Sequence, residues 1–386
     1  MRLQWYLLQK TEVFMTQQTI VQLMDFIPNS WRSMEQLLEG LGGRMRQEGW
    51  RTVHVFTGEP GARMQQVLRL LDSPYLVVEY PISRESAIRL ADQLRGYEPA
   101  LIQTHFLSIF NPVLRTIKRR SGAKRLVVTD HSSGLVSRKP LPLEVLAWLR
   151  GRVASSYVDQ VIGVSDFVCR RDVNGVHMPA AKVVRIHNGV DVQRFVPPAN
   201  PRGLGTVTIG FIGHLIPQKG LGVLLKAAAV LRDDGRVFRL LVAGEGPHAE
   251  AFGQEVRRLN LQDRVSFLGQ ISDTQAFYQQ VDILAVPSEW EEAFGFVVAE
   301  GAACGACVVT SDAGGMPEIV GHSGEGGLVF PRGRADVLTT LLAELMDDPE
   351  RRMQLGRSAR RRMEQHFSLP VTVDRYAQQL LRLLGC

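Results

Sequence analysis

The sequence predicts an α/β protein made of two doubly wound parallel sheets with a cleft between them. Three observations carry this. Short apolar runs of strand length alternate with segments of helical spacing along most of the chain. The strand candidates are apolar throughout rather than alternating, as strands covered by helices on both faces are. The rhythm stops once, over residues 192–205, where Pro197-Pro198-Ala-Asn-Pro201-Arg-Gly-Leu-Gly205 reads as a linker, and then starts again.

Taken in order, residues 19–26 read as a buried strand that Pro28-Asn29-Ser30 ends. Residues 33–49 carry Met34, Leu37, Leu38, Leu41 and Met45 at helical spacing. Strands follow at 52–56, 75–78, 100–103, 125–129 and 160–164, with helices running to Arg95 and Arg120 between them. After the linker come a strand at 206–212, a helix at 220–232, and strands at 238–243, 265–268, 283–286, 306–310 and 328–330. This predicts a first domain over 1–195 and a second over 196–368, both Rossmann-like. A last helix over 369–386 packs back toward the first domain. Residues 1–15 read as a disordered or misassigned start, with Met15 as the alternative first residue. Ligands of such sheets bind at the carboxyl ends of the strands.

Composition sets the class. The 386 residues are 45% hydrophobic and 22% charged, ordinary for a globular chain. No apolar run approaches the roughly 18 residues of a membrane span. Residues 1–8 are interrupted by Gln9 and Lys10 too soon for a signal peptide. The four cysteines, Cys169, Cys304, Cys307 and Cys386, make no disulfide framework in a chain of this size, so a cytoplasmic setting is expected. Cys304 and Cys307 form a Cys-x-x-Cys in apolar surroundings, without a second pair, and read as packing rather than zinc or redox chemistry. Charge is uneven: residues 1–190 hold 25 Lys and Arg against 16 Asp and Glu, a net +9, and the remainder holds 20 against 23, a net −3. The first half is the one suited to an anionic partner; no nucleic-acid partner is expected.

The chemistry concentrates in residues 288–300, Ser-Glu-Trp-Glu-Glu-Ala-Phe-Gly-Phe-Val-Val-Ala-Glu. The strand at 282–286 ends there at Pro287-Ser288, and a helix that starts near Gly295 offers free backbone N–H groups to an anion. Glu292 lies just before those amides and Glu300 beyond them, roughly 10 Å away at the helical rise. That suits a ligand with hydroxyls at both ends and a diphosphate between, although a Glu pair alone is common on solvated helix faces. Three further segments follow strands. Gly210-Phe-Ile-Gly213-His214 leads to Lys219-Gly220, where small residues allow close backbone approach and Lys219 can meet a phosphate. It is neither a dinucleotide-binding Gly-x-Gly-x-x-Gly nor a P-loop. Gly244-Glu245-Gly246-Pro247 serves equally as a structural turn or a ligand-lining one. Gly314-Gly315-Met316-Pro317-Glu318 is a second candidate anion cradle.

As a set, these residues resemble the retaining glycosyltransferases of family 4, which have the GT-B fold. Gly213, Lys219-Gly220, Gly244-x-Gly246-Pro247, Val265-x-Phe267-x-Gly269, Pro287-Ser288, Glu292-x-Phe294-Gly295, Glu300 and Ser311-Asp312-x-Gly314-Gly315-x-Pro317-Glu318 carry the likeness in the second half. Gln103-Thr104-His105, Thr129-Asp130-His131, Val164-Ser165 and Asn188-Gly189-Val190-Asp191 with Phe195 carry it in the first. The resemblance implies that Glu292 holds hydroxyls of the donor sugar, Glu300 the ribose, and Lys219 the diphosphate. The amides of Ala293, Phe294 and Gly295 would assist, and Gly213, His214 and Gly244 would line the donor site. His131 would face the donor sugar near its anomeric carbon, giving a catalytic set of His131, Lys219 and Glu292. The acceptor side would use Asn29, Ser30, Trp31 and His105, the last of these better suited to a structural role.

The implied reaction is metal-free and cofactor-free transfer of a hexosyl group, with retention, from a UDP or GDP sugar to a glycan, glycolipid or small-molecule acceptor. Cell-surface polysaccharide, lipopolysaccharide or glycolipid synthesis is the implied setting. Two departures stand out. His214 occupies a position where the family usually has Arg, and Ile27-Pro-Asn-Ser-Trp-Arg-Ser33 replaces a Gly-Gly turn. The rival readings are a non-catalytic nucleotide-sugar-binding subunit and another GT-B enzyme of epimerase or phosphorylase type. Finally, Arg115, Lys118, Arg119, Arg120, Lys124 and Arg125, and the run Arg138-Lys139-Pro-Leu-Pro-Leu143 with Val145, Leu146, Trp148, Leu149 and Arg150, predict contact with an anionic cytoplasmic membrane surface.

Overall fold

The computed structural model describes residues 18–134, 141–199, 205–321 and 324–386, with side chains of 141–143 excepted. The possible start at 1–15, the linker residues 200–204 and Arg138-Lys139-Pro140 lie outside the described residues.

The first domain holds a seven-stranded sheet of β1 (Thr19–Met24), β2 (Arg51–Phe56), β3 (Tyr75–Val77), β4 (Pro99–His105), β5 (Arg125–Asp130), β6 (Gln160–Gly163) and β7 (Val183–Arg185), in the order β3-β2-β1-β4-β5-β6-β7. The second holds β8 (Val207–Ile212), β9 (Phe238–Ala243), β10 (Val265–Gly269), β11 (Ile283–Val286), β12 (Cys307–Ser311) and β13 (Leu328–Phe330), in the order β10-β9-β8-β11-β12-β13. Every pairing between these strands is parallel. The one strand that the apolar pattern misses is β7: Val183-Val184-Arg185 is three residues long and leaves no periodicity to read.

The uniform apolar strands have the expected cause. In β1, Ile20 packs into one core layer and Val21 into the layer on the opposite face; in β11, Ile283 and Ala285 face one layer and Leu284 the other. Each sheet therefore buries both faces under helices. Cys307 and Cys304 fall in different layers of the second domain, both fully buried, so the Cys-x-x-Cys is core packing.

In each sheet the chain winds outward and then crosses back past its first strand, which puts a switch point between β1 and β4 and another between β8 and β11. The segments leaving β1, β4, β5, β8 and β11 all reach one cleft. The domains are stitched together near the linker. Val190 N–H donates to the Phe367 carbonyl at 2.8 Å, and Leu369 N–H to the Val190 carbonyl at 3.0 Å. From that point the helix Leu369–Leu384 runs onto the first domain, where Val373, Tyr376, Ala377 and Leu380 join the core of Ile20, Leu37, Leu41 and Met45. Among the described residues no helix is long and apolar enough to cross a membrane.

Candidate active site

The cleft has a volume of about 680 Å³ and is lined from both domains. On the second-domain side, Lys219 stands at the end of the short turn Pro217–Lys219 after β8. Its Nζ lies 2.5 Å from Glu292 Oε1, and Ser288 Oγ lies 3.2 Å from the same oxygen. The backbone beneath Glu292 is fixed by the loop after β12. Gly315 N–H donates to the Glu292 carbonyl at 2.8 Å. Gly314 has φ +63°, and a Cβ there would come within 2.0 Å of that carbonyl oxygen, so only glycine fits. The Gly314-Gly315 pair, expected as an anion cradle, thus supports the Glu292 loop from behind.

The helix Phe296–Ala303 starts at Gly295 with its N-terminus at the cleft, and its first N–H groups have no intrahelical acceptor. Glu300 lies further along the same helix, lining the cleft, and its Oε2 accepts from the Tyr278 hydroxyl at 2.9 Å. Burial pushes its carboxyl up to about 7; the Tyr278 hydrogen bond and the nearby Arg194 and Arg32 pull the other way.

Gly213, Lys219, Glu292, Ala293, Phe294, Gly295 and Glu300 therefore meet in the cleft. Three expectations for this wall need correction. His214 is exposed and does not line the cleft. Gly244 lies beneath Gly213: its N–H donates to the Gly269 carbonyl at 2.8 Å, and at φ +127° a Cβ would come within 1.9 Å of the Gly213 carbonyl oxygen. It is a packing turn, not a lining residue. The Ala293 amide is engaged as well, donating to Ser133 Oγ of the first domain at 3.1 Å. The amides left for an anion are those at the start of the helix.

The first-domain wall has a different basis. His131 follows β5 and lines the cleft. Its Nε2 lies 3.1 Å from His105 Nδ1, and His105 Nε2 lies 3.1 Å from Gln22 Oε1. Gln22 Nε2 donates to Gln103 Oε1 at 3.0 Å, and Gln103 Nε2 to Thr129 Oγ1 at 2.8 Å. With Gln22 Oε1 accepting, His105 carries its proton on Nε2 and accepts at Nδ1 from His131. Desolvation lowers the His131 imidazole to about 4 and His105 well below the ordinary range, so both are neutral near pH 7. One nitrogen of His131 is thus committed inward, while its ring stacks on Phe106 at 4.4 Å between centroids.

The loop that carries His131 is gripped by Arg171 from the helix Asp166–Asn174. Arg171 donates to Asp130 Oδ2 at 2.8 Å, to the Ser132 carbonyl at 2.6 Å and to the Gly134 carbonyl at 3.3 Å. Gly134 N–H in turn donates to the Glu291 carbonyl at 2.7 Å, so this loop and the Glu292 loop are joined by two hydrogen bonds. Beside it Asp172 is fully buried, and burial together with the neighbouring Asp130 pushes its carboxyl up to about 9. Glu318 ties the lobes further: it accepts from the Asp166 and Phe167 amides at 2.7 and 2.9 Å and from His187 Nε2 at 2.9 Å.

The expected acceptor residues fare unevenly. Ser30 lines the cleft. Asn29 is exposed outside the lining, and Trp31 packs sideways under the Arg63 guanidinium, 4.2 Å from its ring centroid. His105 is fully buried behind His131 and cannot touch an acceptor. Asp25, Phe26, Arg32, Phe106 and Ser133 are among the residues that line this side instead. Burial raises the Asp25 carboxyl, against a hydrogen bond from Tyr80. Arg32 lies in the 27–33 stretch already singled out; for Asp25, Phe26 and Phe106 the one available signal was position, since they directly follow the two strands that flank the switch point.

Two Rossmann-like sheets sharing one cleft at their switch points define a GT-B protein. The chain belongs to the family 4 glycosyltransferases: residues 193–362 match the profile described as glycosyl transferases group 1, and residues 34–194 that of glycosyltransferase family 4. It is 31% identical over 280 residues to a GDP-mannose-dependent monoacylated alpha-(1-6)-phosphatidylinositol monomannoside mannosyltransferase of Corynebacterium glutamicum, covering 67% of this chain and 70% of that protein. It is 29% identical over 264 residues to a GDP-mannose-dependent alpha-(1-6)-phosphatidylinositol monomannoside mannosyltransferase of Mycolicibacterium smegmatis, covering 64% and 68%. In fold it is similar to Anabaena HepE solved with UDP, with a TM-score of 0.76 at 20% identity over 94% of this chain and all of that one.

Proposed function

We propose that the protein transfers a hexosyl group, with retention, from a UDP or GDP sugar to a hydroxyl of a glycan or glycolipid, without a metal ion. The observation that carries this is the Lys219–Glu292 pair in mid-cleft, with the free amides of the Phe296–Ala303 helix beside it and Glu300 further along. The donor diphosphate would draw Lys219 away from Glu292 and sit against those amides, where negative charge developing on the leaving group is stabilised. Glu292 is then released to accept sugar hydroxyls, and Glu300 to accept from the ribose. Relatives that use GDP-mannose and a fold neighbour that holds UDP support a nucleoside diphosphate donor and leave both bases in contention. A thermal-shift screen across UDP, GDP and their hexose conjugates tests this, because ligands of the folded state raise its melting temperature. At least one should do so; no shift from any of them would overturn the reading.

We propose further that the first domain meets an anionic cytoplasmic membrane surface. Of the two stretches that the sequence pointed to, the second now carries the support. Lys118 is held by Asp159 and the Tyr157 carbonyl, Arg120 by Asp92, and Arg125 by Asp159, so half of that basic cluster is tied into the fold. The helix Leu141–Ser155, by contrast, leaves Val145, Leu146, Trp148, Leu149 and Val153 each about half exposed, with Arg150 and Arg152 among them. Exposed aliphatic residues with a Trp and flanking cations suit interfacial insertion. Co-sedimentation with phosphatidylglycerol-containing vesicles at low salt should retain the wild-type protein and lose Trp148→Asp; equal recovery of both would contradict it.

A further inference from the structure

We infer that Phe106, Phe26 and Asp25 form the acceptor subsite, and that it takes a neutral hydroxylated ring, a hexopyranose or a cyclitol, stacked on Phe106. This rests on the transfer reaction proposed above and names the class of acceptor ring that the cleft receives.

Phe106 is the residue that follows β4. It has φ +65°, a left-handed conformation that a bulky side chain adopts only when the surroundings impose it. Although hydrophobic, it is 47% exposed, and it lines the cleft. Strain and exposure would both be relieved by glycine or a polar residue at this position. Their combination in one aromatic residue places a π-face where a ligand passes. Two contacts hold the ring: the His131 imidazole stacks on it at 4.4 Å and 22°, and Phe26 meets it edge-on at 5.7 Å and 81°. His131 is itself locked through the buried His105–Gln22–Gln103 chain, so the platform is rigid before any ligand arrives.

The polar partner is Asp25, which directly follows β1 and whose N–H donates to the His105 carbonyl at 3.2 Å, placing it beside Phe106. A carboxylate next to an aromatic face suits a sugar or cyclitol: the ring C–H groups lie on the π-system and adjacent hydroxyls donate to the carboxylate. The neighbouring charges narrow the choice. Glu35 is buried and taken up by Ser30 Oγ at 3.2 Å and the Arg32 amide at 3.0 Å, and among the described residues Arg32 is the one cation lining this side. With Asp25 and Glu35 against one Arg among the described residues, a phosphate on the ring held here is disfavoured. An anionic or lipid portion of the acceptor would lie outside this subsite. The platform also faces the wall that carries Glu292 and Lys219, which puts the stacked ring opposite the donor.

Saturation-transfer NMR on the full chain, saturated with UDP or GDP, tests this with methyl α-D-mannopyranoside, methyl α-D-glucopyranoside and myo-inositol as probes. At least one probe should show transfer concentrated on its ring C–H protons. Phe106→Ala should weaken that probe by roughly tenfold, Phe106→Trp should retain it, and Asp25→Asn should weaken it by a few-fold. Nucleotide affinity should be the same in all of them, which also reports that each variant is folded. Nucleotide binding with no transfer to any probe, or transfer equal in wild type and Phe106→Ala, would overturn the subsite while leaving the donor reading intact. Failure to bind either nucleotide would instead sink the donor reading.

Discussion

The two walls of the cleft are built in opposite ways. The second-domain wall comes from short consecutive segments: Lys219 on one turn, residues 288–300 on one strand-loop-helix unit, and Gly314-Gly315 beneath it. Its backbone positions the side chains, through tight glycine contacts and a helix terminus. The first-domain wall is assembled from separated places, among them residues 25–26, 30–37, 106, 131–133 and 188–189, and side chains hold it: two histidines, two glutamines and Arg171. Local backbone chemistry leaves a continuous pattern in the sequence, whereas a network of distant side chains leaves only short separate pieces, Gln103-Thr104-His105 and Thr129-Asp130-His131, and no sign of Gln22 or Arg171.

The largest effect should come from breaking the clamp of the first wall. Arg171→Ala leaves Asp130 partly buried without its cation and frees three acceptors in the His131 loop; stability should fall by about 3 kcal/mol. Arg171→Lys keeps the charge but not the fork, so it should recover part of the stability and little of the activity. Chemical denaturation together with turnover checks this; full activity in Arg171→Lys would show that the loop needs only a nearby charge.

Next in size is the second wall itself. Glu292→Ala and Lys219→Ala each remove a charge-assisted contact, about 1.5–3 kcal/mol of transition-state binding, so sugar transfer should drop by roughly tenfold to a hundredfold with the fold intact. Turnover near wild type in both would break the assignment of this wall to the donor.

A smaller, pH-dependent effect belongs to Glu300. Its carboxyl is raised in the folded state to about 7 from 4.5, so between those values the folded chain holds a proton that the unfolded chain has lost. Stability contributed by this group is therefore present below 4.5 and is lost as pH rises through 7, with a slope of at most about 1.4 kcal/mol per pH unit. Glu300→Gln should flatten that slope in a series of melting curves. It should also weaken binding of free nucleotide and remove the loss of nucleotide affinity expected of wild type as pH falls below about 7.

The smallest effects are expected where the sequence suggested contacts that the fold withholds. His214→Ala and Asn29→Ala, both exposed outside the lining, should change turnover by no more than about twofold. A larger loss in His214→Ala would mean that the cleft closes further around the donor than it does here.

These contrasts explain how much was legible in advance. Both sheets could be read because each strand buries both faces, which makes short apolar runs stand out; β7 was too short to do so. The Glu292–Glu300 unit could be read because its spacing is set by a helix. His214 and Gly244 were misplaced because adjacency in a motif says nothing about direction: Gly213 faces the cleft, while His214 turns to solvent and Gly244 lies beneath. Arg171 and Phe106 were invisible for a different reason. One acts across 41 residues of sequence on Asp130, and the other is marked by a backbone angle that no composition reveals.

The central claim is that Lys219 and Glu300 hold the two ends of one nucleoside diphosphate. Titration calorimetry of UDP and GDP into wild type, Lys219→Ala and Glu300→Gln at pH 8 tests it most directly. At least one nucleotide should bind wild type and lose roughly tenfold or more in affinity in each variant. Equal affinity in all three proteins would contradict the claim.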